Sequence, residues 1–178
     1  MPFNVKNFQE NINNWTKGKT RLELMRECKK YVTLTTQQQK AHCIKEMMVV
    51  LDQNTNAKTS RMIMEACGRR CISASTLQKA RRIKQKAQNL DEMLNMLNEA
   101  HIGGGHLKRE GGRILGIYDR CYCGSVSKTK ELFSNTYCQC TCGWYRQLFE
   151  MLLEKTVEVE LLSSIIQGND RCRIAIHI

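Results

Sequence analysis

HLKREGGRILGIYDRCYC, residues 106–123, is where the chain changes its period. Glu110-Gly111-Gly112 supplies turn residues, and the segments on either side suit the two strands of a β-hairpin. Side chains alternate along a strand, so Leu115, Ile117, Asp119, Cys121 and Cys123 are expected on one face of the second strand. Upstream of residue 103 the apolar positions recur at helical spacing instead. Helices before such a switch and strands after it read as an α+β fold. The expected architecture is N-terminal helices packed with a small antiparallel sheet and one C-terminal helix. The switch also suggests a helical subdomain over 1–103 and a cysteine-rich sheet-and-helix subdomain over 104–178, packed as one compact unit.

On the helical side, Thr35 or Thr36 can cap a helix in which Ile44, Met47, Met48 and Leu51 fall at i, i+3, i+4 and i+7. QNTNAKTS (53–60) is a polar break. A second helix is expected over Lys58–Cys67, with Gly68 as its C-cap. Ser73 or Ser75 opens a basic helix, where Leu77, Ala80, Ile83 and Ala87 face inward and Lys79, Arg82 and Lys86 face water. A short amphipathic helix with Met93, Leu94, Leu97 and Ala100 stops at Gly103-Gly104-Gly105.

Beyond the hairpin, residues 124–136 are polar and read as a loop leading to YCQCTCGW (137–144), where Cys138 and Cys140 share a face if the piece is extended. Thr141 then caps a helix carrying Trp144, Leu148, Met151 and Leu152. Val157, Val159 and Leu161 alternate as a half-buried strand. Gly168-Asn169-Asp170 turns the chain into a last strand, where Cys172 shares a face with Ile174, Ile176 and Ile178 and His177 points the other way.

The 178 residues include 42% hydrophobic and 25% charged side chains, enough apolar content for a packed core. No apolar run approaches the ~20 residues that span a bilayer, and the N-terminus lacks a signal-like apolar stretch, so a cytoplasmic chain is expected. The net charge is +11. It is spread along the chain, aromatic residues are few and no nucleic-acid motif is present, so a solvated basic surface is the better reading than a nucleic-acid site.

Ten cysteines carry most of the functional signal. In a reducing compartment they point to metal ligation or redox work rather than a disulfide framework. Cys121, Cys123, Cys138, Cys140 and Cys142 are the candidate ligands of zinc or an iron–sulfur cluster, which needs about four thiolates brought together. No CxxC knuckle marks the site, and packing or reactive thiols remain as alternatives. Cys142 is expected near a helix N-terminus, where the helix dipole favours a thiolate, and is the preferred reactive cysteine. Cys67 and Cys71 form a secondary thiol pair at a helix end; beside them Arg69 and Arg70 could hold an anionic ligand group. Trp144 is a candidate for the pocket wall. His101-Ile-Gly-Gly-Gly-His106 lacks the Lys-Ser/Thr of a phosphate loop and reads as a turn.

The helix beginning Gly143-Trp144, the strand Val157-Glu158-Val159-Glu160, and Gly168-Asn169-Asp170-Arg171-Cys172-Arg173-Ile174 together resemble the C-terminal part of the 4-vinyl-reductase-type ligand-binding domain. The same segment is similar to the aminothiazoline-carboxylate hydrolase-like group. The resemblance implies a ligand pocket between helices and a small antiparallel sheet, sometimes with a metal nearby. Where that pattern often places a second cysteine, four residues before the glycine, this chain has Ser164, so a zinc site built on that cysteine pair is not carried over.

Three functions follow from these patterns. The first is a sensor-like domain for a small molecule, with a metal held by the cysteine cluster. The second is a cysteine-dependent hydrolase or thiol oxidoreductase. The third is a basic nucleic-acid-associated protein stabilised by zinc. A homodimer is compatible with such a chain, although no residue pattern indicates one.

Overall fold

A computed structural model describes residues 3–129 and 131–178; Met1 and Pro2 of the N-terminal segment and Lys130 of the polar loop lie outside it. Its helices are α1 (Val5–Trp15), α2 (Gly18–Thr33), α3 (Gln37–Asn54), α4 (Ala57–Arg69), α5 (Ala74–Lys86), α6 (Leu90–Glu99) and α7 (Asn135–Leu153). β1 (Leu107–Glu110) and β2 (Arg113–Tyr118) precede α7. β3 (Glu158–Ser163) and β4 (Cys172–His177) follow it, joined through a 3-10 turn at Ile165–Gln167. The fold is α+β, as the change of period at residue 103 requires.

Polar caps start the helices where the sequence breaks. Thr36 accepts from the Gln39 amide at 3.2 Å, and the Gln39 side chain accepts from the Thr36 amide at 3.3 Å, a reciprocal capping box on α3. Asn56, Ser73 and Asn89 each accept from the backbone amide three residues on, at the starts of α4, α5 and α6. In α5 the apolar Ala80 and Ile83 are buried while Lys79, Arg82 and Lys86 are exposed. The run of basic residues is thus the wet side of an amphipathic helix.

The four strands form one antiparallel sheet in the order β1-β2-β4-β3. Ile114, Ile176 and Val159 lie side by side across three strands and are fully buried. Tyr145, Leu148, Phe149 and Leu152 of α7 pack with this row, together with residues of α5 and α6. A second core joins α1, α2, α3 and α4 to Val126, Phe133, Tyr137 and Cys138. Each core therefore draws on residues from both sides of position 103.

Two sequence expectations are corrected. Gly68 does not end its helix: α4 continues to Arg69, and Gly68 sits where α4 meets the α7 backbone. β2 ends at Tyr118, and its buried face carries Ile114, Gly116 and Tyr118, which leaves Cys121 and Cys123 in the following loop rather than on the strand. The parity was set by Gly116. A side chain there would strike the Tyr145 hydroxyl, 2.3 Å from where a Cβ would stand, so the glycine row must face α7.

One charged group is enclosed between the helices. Glu65 of α4 is buried, accepts from Arg61 at 2.6 Å and forms an ion pair with Arg146 of α7 at 3.1 Å. Two guanidinium partners offset the cost of removing that carboxylate from water.

Candidate functional site

Residues 137–142 are helical rather than extended. Tyr137, Cys138, Cys142, Tyr145, Leu148, Phe149 and Leu152 are buried along α7, which begins at Asn135. Cysteine behaves there as a small hydrophobe, so YCQCTC satisfies the helical stripe that continues into the aliphatic half of the helix. Thr141 consequently lies inside α7 and caps nothing.

Tyr137, Cys140, Thr141 and Trp144 recur at i, i+3, i+4 and i+7 and line one wall of a cavity of about 550 Å³. Met64, Cys67 and Cys71, from α4 and the residue after its C-cap, line the wall beside it. Tyr118 and Cys172 are register partners at the ends of β2 and β4 and reach the same space. The loop after β2 contributes Arg120, Cys121, Tyr122 and Cys123, and the loop before β1 contributes His101, Gly103 and Gly104. Phe3, Asn4 and Asn7, at the start of α1, complete the lining with Cys138.

Burial sorts these residues into floor and rim. Met64, Cys67, Tyr137 and Cys138 are buried; Asn4, His101, Arg120 and Tyr122 are exposed. Seven of the ten cysteines line this one cavity, and all ten are free thiols. Several sulfurs are held by neighbours. Cys138 Sγ lies 2.9 Å from Ser164 Oγ, and Cys123 Sγ lies 2.8 Å from the Tyr137 hydroxyl. Asn11 donates to Cys67 Sγ at 3.1 Å, and the Ile165 amide donates to Cys172 Sγ at 3.3 Å.

Burial pushes the Cys67 thiol up to about 12, against a smaller downward pull from the Asn11 hydrogen bond. It raises Cys121 to about 11. Cys138 and Cys140 are also pushed up, first by burial, with Ser164 opposing for Cys138 and the Cys138 thiol reinforcing for Cys140. The phenols of Tyr118 and Tyr137 are raised by burial as well. At neutral pH all of these groups are uncharged, so the interior wall is an apolar, polarisable surface of rings and sulfur.

The proposed ligand set separates. Cys121, Cys123, Cys138 and Cys140 share the cavity with Cys67, Cys71 and Cys172, whereas Cys142 faces the sheet core. Among the described residues, no three Cys, His, Asp or Glu side chains converge as a metal site. Cys142 is not at the helix N-terminus: it lies seven residues after Asn135 and has no exposed surface. Burial, with Glu65 adding and Arg61 and Arg146 opposing, raises its pKa to about 12, which corrects the expectation of a dipole-stabilised thiolate. Arg69 and Arg70 also turn away from the cavity. Arg69 donates to Glu150 at 2.8 Å and Arg70 pairs with Glu10. Trp144 does line it.

Residues 3–178 match the sequence profile described as "Family of unknown function (DUF6144)". The chain belongs to the DUF6144 family. This match spans nearly the whole chain and is to neither of the families that the C-terminal motifs resemble. No curated protein matches the sequence. Among solved structures, the DUF6144 chain is similar to the crystal structure of the phenol-responsive sensory domain of the transcription activator PoxR with phenol. The two share 17% identity over 81% of this chain and 75% of that one, with a TM-score of 0.45. That likeness is too distant to bear on the site.

Tyr118, Tyr137 and Cys172 are the wall residues that motif reading passes over in the DUF6144 chain. Tyr118 could have been found from the glycine parity of β2, and Tyr137 from extending the α7 stripe by two turns toward the N-terminus. Phe3 carries no local signal, because α1 brings it to the cavity through tertiary packing alone. No helix among the described residues is long and apolar enough to cross a membrane.

Proposed function

We propose that this DUF6144 chain is a binding domain for a small, largely apolar molecule held between α4, α7 and the end of the sheet. The observation that carries this reading is the cavity itself: about 550 Å³, walled by Phe3, Tyr118, Tyr122, Tyr137, Trp144, Met64 and seven thiols. Its size falls within the ~300–1,000 Å³ of typical small-molecule sites, and its chemistry is that of such sites, mostly apolar with a few polar groups. Binding is favoured over thiol catalysis because a reacting cysteine works as its thiolate, and Cys67, Cys121 and Cys142 are held as thiols by burial. A zinc or iron–sulfur centre is left out of the reading, since the cysteines are shared out along the wall instead of meeting at a point.

The test is titration with N-phenyl-1-naphthylamine, an uncharged dye that fluoresces in apolar surroundings. Saturable binding to the wild-type chain is expected. Thr141→Trp, which fills the cavity from the α7 wall, should abolish that binding while the far-UV circular dichroism stays unchanged. Absence of saturable binding to the wild type, or undiminished binding to a folded T141W, would overturn the proposal.

A further inference from the structure

We infer that the molecule bound in this cavity is an apolar acid whose anionic group is held at the rim by Arg120. The inference rests on the reading of the cavity as a ligand site, and adds to it the charge and orientation of the ligand.

The lining is electrically lopsided. Among the described residues no Asp or Glu contributes to it, whereas Arg120 and His101, both exposed, do. On the two helices that wall the cavity the arginines are matched: Arg61 and Arg146 by Glu65, Arg69 by Glu150 and Arg70, at the end of α4, by Glu10. Arg120 has no ion pair among the described residues. The adjacent Asp119 does not supply one, because its two carboxylate oxygens lie 3.2 Å from Arg171 and 3.2 Å from His106.

Arg120 is nevertheless positioned. Its guanidinium lies 5.0 Å from the centroid of the Tyr122 ring, and Tyr122 stands edge-on to Tyr118 at 5.3 Å. A guanidinium held over a ring by cation–π attraction still has its N–H donors available for hydrogen bonding, and their fork suits a carboxylate. The cation is thus attached to the aromatic wall with its donors unspent. An apolar body can occupy the ring-and-sulfur interior while its anion stays at the exposed rim, where desolvation is small.

The opposite orientation is disfavoured on the same grounds. The floor thiols and phenols are neutral at pH 7 and give a buried anion no cationic partner. A cationic ligand would face Arg120 on a chain of net charge +11 with no carboxylate in the lining.

Two dyes of one ring framework separate the possibilities. N-phenyl-1-naphthylamine is neutral, and 8-anilino-1-naphthalenesulfonate carries one sulfonate, standing in for the ligand's anion. The wild-type chain should bind the anionic dye about tenfold more tightly, the effect of one charge-assisted contact at a partly wet site. Arg120→Gln should bring the ratio of anionic-dye to neutral-dye affinity to about one, Arg120→Lys should keep most of the preference, and Thr141→Trp should lose both dyes. Equal affinities in the wild type, an unaltered preference in R120Q, or anionic-dye binding that survives T141W each overturn the inference. The first two leave the cavity reading intact, provided the neutral dye binds the wild type. A wild-type chain that binds neither dye overturns both.

Discussion

Gly143 meets the backbone of Glu65: a Cβ at position 143 would stand 1.9 Å from the Glu65 carbonyl oxygen. The reciprocal contact places a Cβ of Gly68 at 1.8 Å from the carbonyl oxygen of Cys140. Stepping three residues forward on α4 thus matches three residues backward on α7, so the helices run antiparallel and touch main chain to main chain. This close approach brings Met64, Cys67 and Cys140 around one space.

Alanine normally favours a helix interior over glycine by about 1 kcal/mol. Here the obstacle is backbone, which cannot rotate aside, and forced overpacking costs about 1–3 kcal/mol or more. Gly68→Ala and Gly143→Ala are each expected to destabilise the chain by about 2 kcal/mol net and to weaken dye binding by prising α4 from α7. Urea denaturation and dye titration check both effects. A stabilised G143A would show that the helices are not packed at this distance.

The second prediction concerns Ser164, which stands where the resembled family often has cysteine. Its hydroxyl lies 2.9 Å from Cys138 Sγ, and both residues are buried. Ser164→Ala should cost about 1 kcal/mol, the usual loss when one buried partner is removed. With Cys138→Ala already in place the same change should cost less, since the pair is then gone from the wild-type reference. A double-mutant cycle in urea measures the difference, and strict additivity would show that the contact contributes nothing.

The period change at residue 103 was enough to specify α+β because helical and strand patterns are local properties of the chain. The capped starts of α3 and α5 were legible for the same reason. The cavity was legible only as an excess of cysteine. Cys67 and Cys71 were set down as a secondary pair, with joining Cys121 through Cys142 only one option, since nothing in sequence spacing records that α4 and α7 touch through two glycines. That residues 137–140 left an extended option open has a definite source. Cys138, Cys140 and Cys142 alternate with polar residues, and over six residues a period of two competes with a period of 3.6. The longer stripe through Leu152 decides for the helix.

The third prediction follows from the protonation of the buried thiols. Burial raises Cys28, Cys67 and Cys142 to about 12 from an ordinary 9.0. Above pH 9 the unfolded chain releases these protons while the folded chain keeps them, so the unfolded state binds fewer protons and stability must fall as pH rises. Below pH 8 both states are protonated, and these groups contribute no slope. Each thiol can remove at most about 1.4 kcal/mol per pH unit between 9 and 12, so the three together set an upper bound of about 4 kcal/mol at pH 10. Urea midpoints should be level between pH 7 and 8, lower at pH 9 and lower again at pH 10. A flat profile to pH 10 would show that the thiols are not enclosed as described.

The last prediction distinguishes a binding cavity from a thiol active site by the order in which cysteines react. Alkylation requires both access and thiolate. Cys28, Cys43 and Cys142 have no exposed surface, whereas Cys71, Cys121, Cys123, Cys140 and Cys172 are half-buried around the cavity. Iodoacetamide at pH 8, followed by peptide mass spectrometry, should label members of the second group first. The first group should react only at the rate of opening of the fold. Cys71, Cys121 and Cys140 should not show the rapid reaction of a depressed-pKa nucleophile, because burial raises all three. N-phenyl-1-naphthylamine should slow the cavity thiols and leave Cys28 and Cys43 unaffected, since occupancy blocks access without changing the distant core. Fast, selective labelling of Cys142 would reverse the assignment: it would require a thiolate open to solvent on α7, and the cysteine-dependent enzyme would then be the better reading.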